Sequence, residues 1–247
     1  MQSTDEYAGW AARYQRFYKE SPDIVEFFKE LIGRHSIRKL LDCACGPGDE
    51  LLMLHSLGCD VTGSDISPAM LQLAKENMDE AGIDIPLHEV DFCQLPGHFS
   101  DAFDAVICWS GSILHVADDG EALRAFRSMW DVLSAQGIAI LDQGITDCRW
   151  KEKKRFHLSR SDHDTSRVYV VDYLGHRDCR YNVLDLTHKD EKQELDVFST
   201  EMHVLLRDDQ ERLLIEAGFS SVEFYGDYDF SEYDKGSSLR LIALAQK

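Results

Sequence analysis

Short apolar runs alternate with segments of helical period through the first part of the chain. Residues 23–32 carry an apolar helical face of Ile24, Phe27, Phe28, Leu31 and Ile32, which predicts a helix that Gly33 would stop. A first strand ends at Leu40-Leu41-Asp42 and breaks into Gly46-Pro47-Gly48. A buried-type helix over 49–57 follows, ended by Gly58. Residues 59–65 read as a second strand delivering Asp65 to its tip. Ser67 and Pro68 then form a helix start, with serine as cap and proline at the first helical position. Residues 87–92, 103–109 and 137–142 read as third, fourth and fifth strands. Strands alternating with helices predict an α/β fold, a Rossmann-like doubly wound parallel sheet that binds ligands at the carboxyl ends of its strands.

Beyond the fifth strand the period changes. Residues 167–174, 179–186 and 194–205 alternate as strands around a turn at 175–178 and a polar hairpin at 188–192, predicting a three-stranded antiparallel sheet. A helix over 207–217, ended by Gly218, and strands over 222–225 and 239–245 return the chain to the main sheet. The expected organisation is an N-terminal helical cap (1–36), a core in two pieces (37–145 and 205–247) and an antiparallel β insertion (146–204). Both ends of the insertion emerge at the ligand edge, so its natural place is a lid over the ligand. In the cap, Tyr7, Trp10, Tyr14, Phe17 and Tyr18 form an aromatic stripe that packs on the core or offers its hydroxyls to a ligand.

The glycine loop carries the chemistry. Gly46 and Gly48 can adopt backbone angles closed to other residues and leave no Cβ in the way of a ligand. Asp65 is placed to accept both hydroxyls of a ribose. A dinucleotide fingerprint needs a third small residue where this chain has Leu51, and Asp49 stands where a diphosphate would lie. A carboxylate there repels an anion and suits a sulfonium or ammonium. The loop is therefore read as a site for S-adenosylmethionine (SAM) rather than NAD.

Composition narrows the partners. The 247 residues suffice for one α/β domain with an insertion, and the net charge of −19 leaves no sustained basic surface for nucleic acid. One basic run, 149–155, reads as a solvated loop or as a guide for an anionic small molecule. Seven cysteines in mostly apolar segments point to reduced core thiols, and Cys43-x-Cys45 lacks the further ligands of a metal site. No apolar run is long enough for a membrane span and Met1–Glu6 is no signal peptide, so a cytoplasmic protein is expected.

The segment Asp42-Cys43-Ala44-Cys45-Gly46-Pro47-Gly48 resembles the first motif of the class I SAM-dependent methyltransferases. From about Tyr7 to the C-terminus the chain is similar to the glycine and sarcosine N-methyltransferase group, most specifically over 40–48, 61–71 and 103–115. The resemblance implies a seven-stranded sheet with one antiparallel strand and an antiparallel substrate lid. It implies that Tyr14, Asp42, Ala44, Gly46, Asp65, Ile66, Asp91, Phe92 and Trp109 contact SAM or frame its pocket, with Gly48 and Met70 completing the set and Asp91-Phe92 holding the adenine. His115 belongs to the same frame and is the best acid-base candidate, or else a histidine that only orients its neighbours. Tyr228, in the cluster 225–230, offers a hydroxyl to an amine or cation.

Two departures bear on the acceptor. Gly111 stands where the glycine methyltransferases have Asn, and Gln143-Gly144-Ile145 replaces the His-Arg-Asn whose arginine grips the substrate carboxylate. Arg149, Arg160, Arg167 or Arg180 of the insertion are the possible substitutes. Methyl transfer needs alignment and exclusion of water, and a neutral amine needs little acid-base help. The expected function is transfer to a small polar metabolite, foremost an amine or amino-acid nitrogen. An oxygen acceptor, carboxylate or hydroxyl, and a SAM-binding protein without turnover are the alternatives. These motifs do not specify the oligomeric state.

Overall fold

A computed structural model describes residues 7, 11, 21–100, 103–161, 164–189 and 192–247. Its main sheet contains β1 (Lys39–Asp42), β2 (Asp60–Asp65), β3 (Leu87–Glu89), β4 (Phe103–Cys108), β5 (Leu133–Gln143), β10 (Ser221–Tyr225) and β11 (Leu241–Gln246), in the order β10-β11-β5-β4-β1-β2-β3. β11 runs antiparallel to both neighbours and the other six strands are parallel. Successive side chains of a strand point to opposite faces, and the core divides accordingly. Leu40, Ala105, Ile107, Ile138 and Ile140 face one layer of helices, α1 (Pro22–His35), α2 (Asp49–Ser56) and α3 (Pro68–Ala81). Leu41, Val106, Cys108, Ala139 and Leu141 face the other, α4 (Asp119–Val132) and α6 (Arg207–Ala217). Strands covered on both faces explain the unbroken apolar runs of the sequence.

The insertion is a second sheet of four antiparallel strands, β6 (Phe156–Ser161), β7 (Thr165–Tyr173), β8 (Asp178–Lys189) and β9 (Lys192–His203), in that order. The three-strand expectation missed β6. Its Phe156 and Leu158 are 59% and 69% exposed, so no buried face advertises the strand in the sequence. The basic run ahead of it is partly helical rather than a plain loop. Thr146 caps α5 (Asp147–Glu152), accepting the Arg149 amide on Oγ1 at 3.4 Å, and Trp150 is buried beneath it.

Two further boundaries moved. α1 passes through Gly33 and ends at Ser36, whose positive φ of 53° turns the chain. One glycine lowers helix propensity by roughly 1 kcal/mol, less than the packing of Phe27, Phe28 and Leu31 supplies. The third strand ends at Glu89 because the Asp91 carboxylate captures the Cys93 amide at 2.8 Å and starts a 3₁₀ turn over Phe92–Gly97.

Candidate active site

The predicted residues gather along the carboxyl edge of the main sheet. Asp42 ends β1, accepts the Ala44 amide at 3.1 Å and is 1% exposed. Asp65 ends β2 and braces the loop from the other side: one oxygen accepts the Gly46 amide at 2.9 Å, the other the Ser67 amide at 2.8 Å. Ile66 lies between those contacts, and Ser67 caps α3 by accepting the Met70 amide at 3.3 Å. Asp91 and the half-buried Phe92 follow β3. Trp109 follows β4, 3% exposed, between Phe28 at 4.9 Å and a stacked Tyr228 at 5.9 Å. Tyr14 lies outside the described residues, as do Trp10, Phe17 and Tyr18 of the aromatic stripe.

The two loop glycines have different duties. Both have positive φ, 51° at Gly46 and 83° at Gly48. A Cβ on Gly48 would meet Met78 Cε at 3.1 Å and Ala74 Cβ at 3.3 Å, so this glycine lets α3 approach the loop. A Cβ on Gly46 would meet nothing within 4 Å, which leaves an open cradle against the backbone.

His115 stands where three parts of the chain meet. It ends the turn Ser112–His115, and its Nδ1 lies 3.1 Å from Tyr7 Oη and 3.3 Å from Thr200 Oγ1 of β9. Burial pushes its imidazole down to about 4, so it is neutral near pH 7. With the proton on Nε2, the single lone pair of Nδ1 accepts from one of the two hydroxyls at a time. Burial also raises the Tyr228 phenol well above its ordinary range, so this hydroxyl stays protonated. Neither group is poised to exchange a proton at neutral pH.

Sequence reasoning gave no role to Glu50, Asp142 and Arg240, which join Asp42 and Asp49 at the same edge. Asp142, buried next to the last residue of β5, holds Arg240 Nη1 at 2.7 and 2.8 Å; the Arg240 guanidinium also lies over the Tyr228 ring at 4.5 Å. Glu50, in the first turn of α2, is 8% exposed, and burial followed by its neighbour Asp49 pushes its carboxyl up to about 7. Burial holds Asp49 up at about 6, and its Oδ2 is buried without a partner among the described residues. Burial and then Glu50 raise Asp42 well above the carboxylate range. One signal was available: Glu50 shares a helix face with the buried Met53 and Leu54, an unusual position for a carboxylate. Arg240, distant in sequence, had no local mark.

Of the substitute arginines, Arg167 is committed to a buried pair with Asp185, both contacts 2.7 Å, and Arg180 pairs with Glu201 on the surface. The Arg160 side chain lies outside the described residues. Arg149 donates to the Gly144 carbonyl at 2.9 Å and lines a cavity of about 470 Å³. This cavity lies between Gly144 and Ile145 beyond β5, Trp150, Leu239, and Tyr169 and Tyr181 of the second sheet.

An open sheet with a glycine cradle, a carboxylate after β2 and buried acids around the loop fits a cationic nucleoside. Comparison with known proteins agrees. A family model described as a methyltransferase domain matches residues 40–137. The chain is 30% identical over 232 residues to a glycine/sarcosine N-methyltransferase of Aphanothece halophytica, covering 92% of this chain and 81% of that protein. The CcbJ methyltransferase of Streptomyces caelestis has the same fold, with TM-score 0.83 at 15% identity over 99% of this chain and 98% of that one. SAM-bound CalS10, an amino pentose methyltransferase of Micromonospora echinaspora, gives 0.76 at 20% identity over 96% and 95%. Fold and loop together define a class I methyltransferase domain. The chain belongs to the family of SAM-dependent methyltransferases that includes the glycine/sarcosine N-methyltransferases, and SAM is its cofactor.

Proposed function

We propose that this enzyme methylates the nitrogen of a small polar metabolite held beneath the second sheet, which serves as its lid. The observation that carries the reading is the cavity of about 470 Å³ beside the carboxyl end of β5, walled by tyrosines of the insertion and by Arg149. It suits a small acceptor with polar groups, and the acidic surface of the chain disfavours a nucleic acid.

In this reading Asp65 binds the ribose, Gly46 and Gly48 let the cofactor lie on the backbone, Ala44 and Ile66 flank it, and Asp91 and Phe92 meet the adenine. Met70 supports the loop from α3. Trp109 and Tyr228 wall the donor side. SAM supplies an electrophilic methyl with a good leaving group. The protein's part is to align the acceptor nitrogen and exclude water. The neutral His115 positions the Tyr7 and Thr200 hydroxyls instead of taking a proton, and the Tyr228 hydroxyl donates a hydrogen bond. A neutral amine needs no more. The seven unpaired cysteines fit a reducing compartment, so we assign the protein to the cytoplasm.

Incubation with methyl-deuterated SAM and a metabolite extract, followed by mass spectrometry, tests the proposal. A labelled amine or amino acid is expected; SAM binding without any labelled product would reduce the protein to a binder. The exposed Arg149 guanidinium in the cavity favours one rival, a carboxylate oxygen acceptor. The pH-rate profile separates the two: rate with an amine falls as the amine protonates, whereas a carboxylate stays available across neutral pH.

A further inference from the structure

We propose that Glu50 recognises the amino-acid end of the donor, its carboxylate acting as the counter-ion of the α-ammonium group. The inference rests on SAM being the donor.

The strand order supplies the direction. Along the edge from β3 through β2 and β1 to β4 and β5 stand Asp91, Asp65, Asp42, Trp109 and Asp142. A nucleoside whose ribose lies on Asp65 and whose base lies toward Asp91 extends its remaining chain across β1 toward β5. Glu50 stands at that far end: the charges bearing on it are those of Asp42 from β1, Asp49 from its own helix and Asp142 from β5. The connection between β10 and β11 adds Tyr228, on which the charges of Glu50, Asp142, Asp227 and Arg240 all act.

Four carboxylates converge here, Asp42, Asp49, Glu50 and Asp142, and two of them have obvious partners among the described residues. Asp142 holds Arg240 through both oxygens, and Asp42 holds the Ala44 amide. Glu50 is 8% exposed, and its own backbone amide is the hydrogen-bond donor that bears on its carboxyl; no cation is paired with it among the described residues. A carboxylate withdrawn from water without a counter-charge is unfavourable and retains a proton instead. Burial accordingly keeps this carboxyl half protonated near neutral pH. An arriving ammonium supplies the missing charge in a short, charge-assisted hydrogen bond. The same charge balance explains why an acidic residue can occupy the core-facing side of α2 next to a nucleoside loop.

The test is calorimetric titration of the full-length protein with SAM, S-adenosylhomocysteine and 5′-methylthioadenosine, the last sharing the nucleoside thioether but lacking the amino-acid end. For Glu50→Gln the dissociation constants of SAM and S-adenosylhomocysteine are expected to rise about tenfold or more, while that of 5′-methylthioadenosine stays within about twofold. Equal weakening of all three ligands, or of none, overturns the assignment. Weakening of SAM alone overturns it in favour of the sulfonium. A wild-type measurement covers the case of a variant that does not fold. At pH 7, in buffers of different ionisation enthalpy, S-adenosylhomocysteine should release protons that 5′-methylthioadenosine does not, and identical proton counts would refute the proposal. Failure of wild type to bind SAM at all would instead overturn the donor, an outcome distinct from wild type and variant binding it equally.

Discussion

Asp65 accepts the Gly46 and Ser67 amides, and in the proposed reading it also accepts the ribose hydroxyls. Asp65→Ala therefore removes a loop brace and a ligand acceptor together, and its SAM dissociation constant should rise more than tenfold by calorimetry. The buried titrating groups act in opposite directions. Glu50, raised from 4.5 to about 7, and Asp49, raised from 3.8 to about 6, bind protons more tightly in the folded state. Their contribution to stability is complete below their unfolded values and is lost as pH rises through 6 and 7. For Glu50 alone the shift corresponds to roughly 3 kcal/mol. The urea midpoint of the ligand-free protein should fall between pH 5 and 8, and Glu50→Gln should flatten that fall; an unchanged slope would count against the burial argument. His115, lowered from 6.5 to about 4, has the other sign: its contribution is present above 6.5 and is lost as pH falls toward 4. An imidazole resonance titrating near 4 by NMR is expected, and a midpoint near 6.5 would mean that water reaches the ring.

At the scale of elements, the glycine loop separates folding from binding. Gly48→Ala forces a methyl against Met78 and Ala74 at a positive φ, and should cost stability by roughly 1–2 kcal/mol in thermal unfolding. Gly46→Ala carries the same backbone penalty, yet its methyl projects into open space, the place of the cofactor in the proposed reading, so SAM affinity should suffer more than in Gly48→Ala. The insertion is tied to the core through Asp119 of α4, which accepts from Arg177 at 2.7 Å, His203 at 2.9 Å and Arg212 at 2.6 Å. His203 also reaches Asp178 at 2.7 Å. Loss of that shared carboxylate in Asp119→Ala leaves three donors without their acceptor. Amide exchange should accelerate over residues 176–204 while the β1–β4 amides keep their protection.

The whole molecule has a formal net charge of −19. Self-repulsion of this size destabilises the compact state and is screened by salt. The melting temperature of the ligand-free protein should therefore rise between 0.05 and 0.5 M sodium chloride, about one Debye-length regime to the next. No helix among the described residues is long and apolar enough to cross a membrane. The insertion and Tyr7 meet the core at one imidazole, which joins segments far apart in the chain.

The local elements were legible from residues alone because their signals are local. Unbroken apolar runs such as residues 103–109 mark strands buried on both faces, Ser67-Pro68 marks a helix start, and a glycine pair followed by Asp65 marks a nucleoside loop. The cofactor and the doubly wound sheet follow from those patterns. What only the tertiary structure decided are the relations between distant groups. β6 escaped notice because its apolar side chains face solvent, so burial left no pattern to read. Arg240 answers Asp142 from 98 residues away, and His115 meets Tyr7 and Thr200 across 108 and 85. Such pairs are set by which strands lie side by side. A sheet order that jumps from β5 to β11 is a property of packing, and no neighbouring residue announces it.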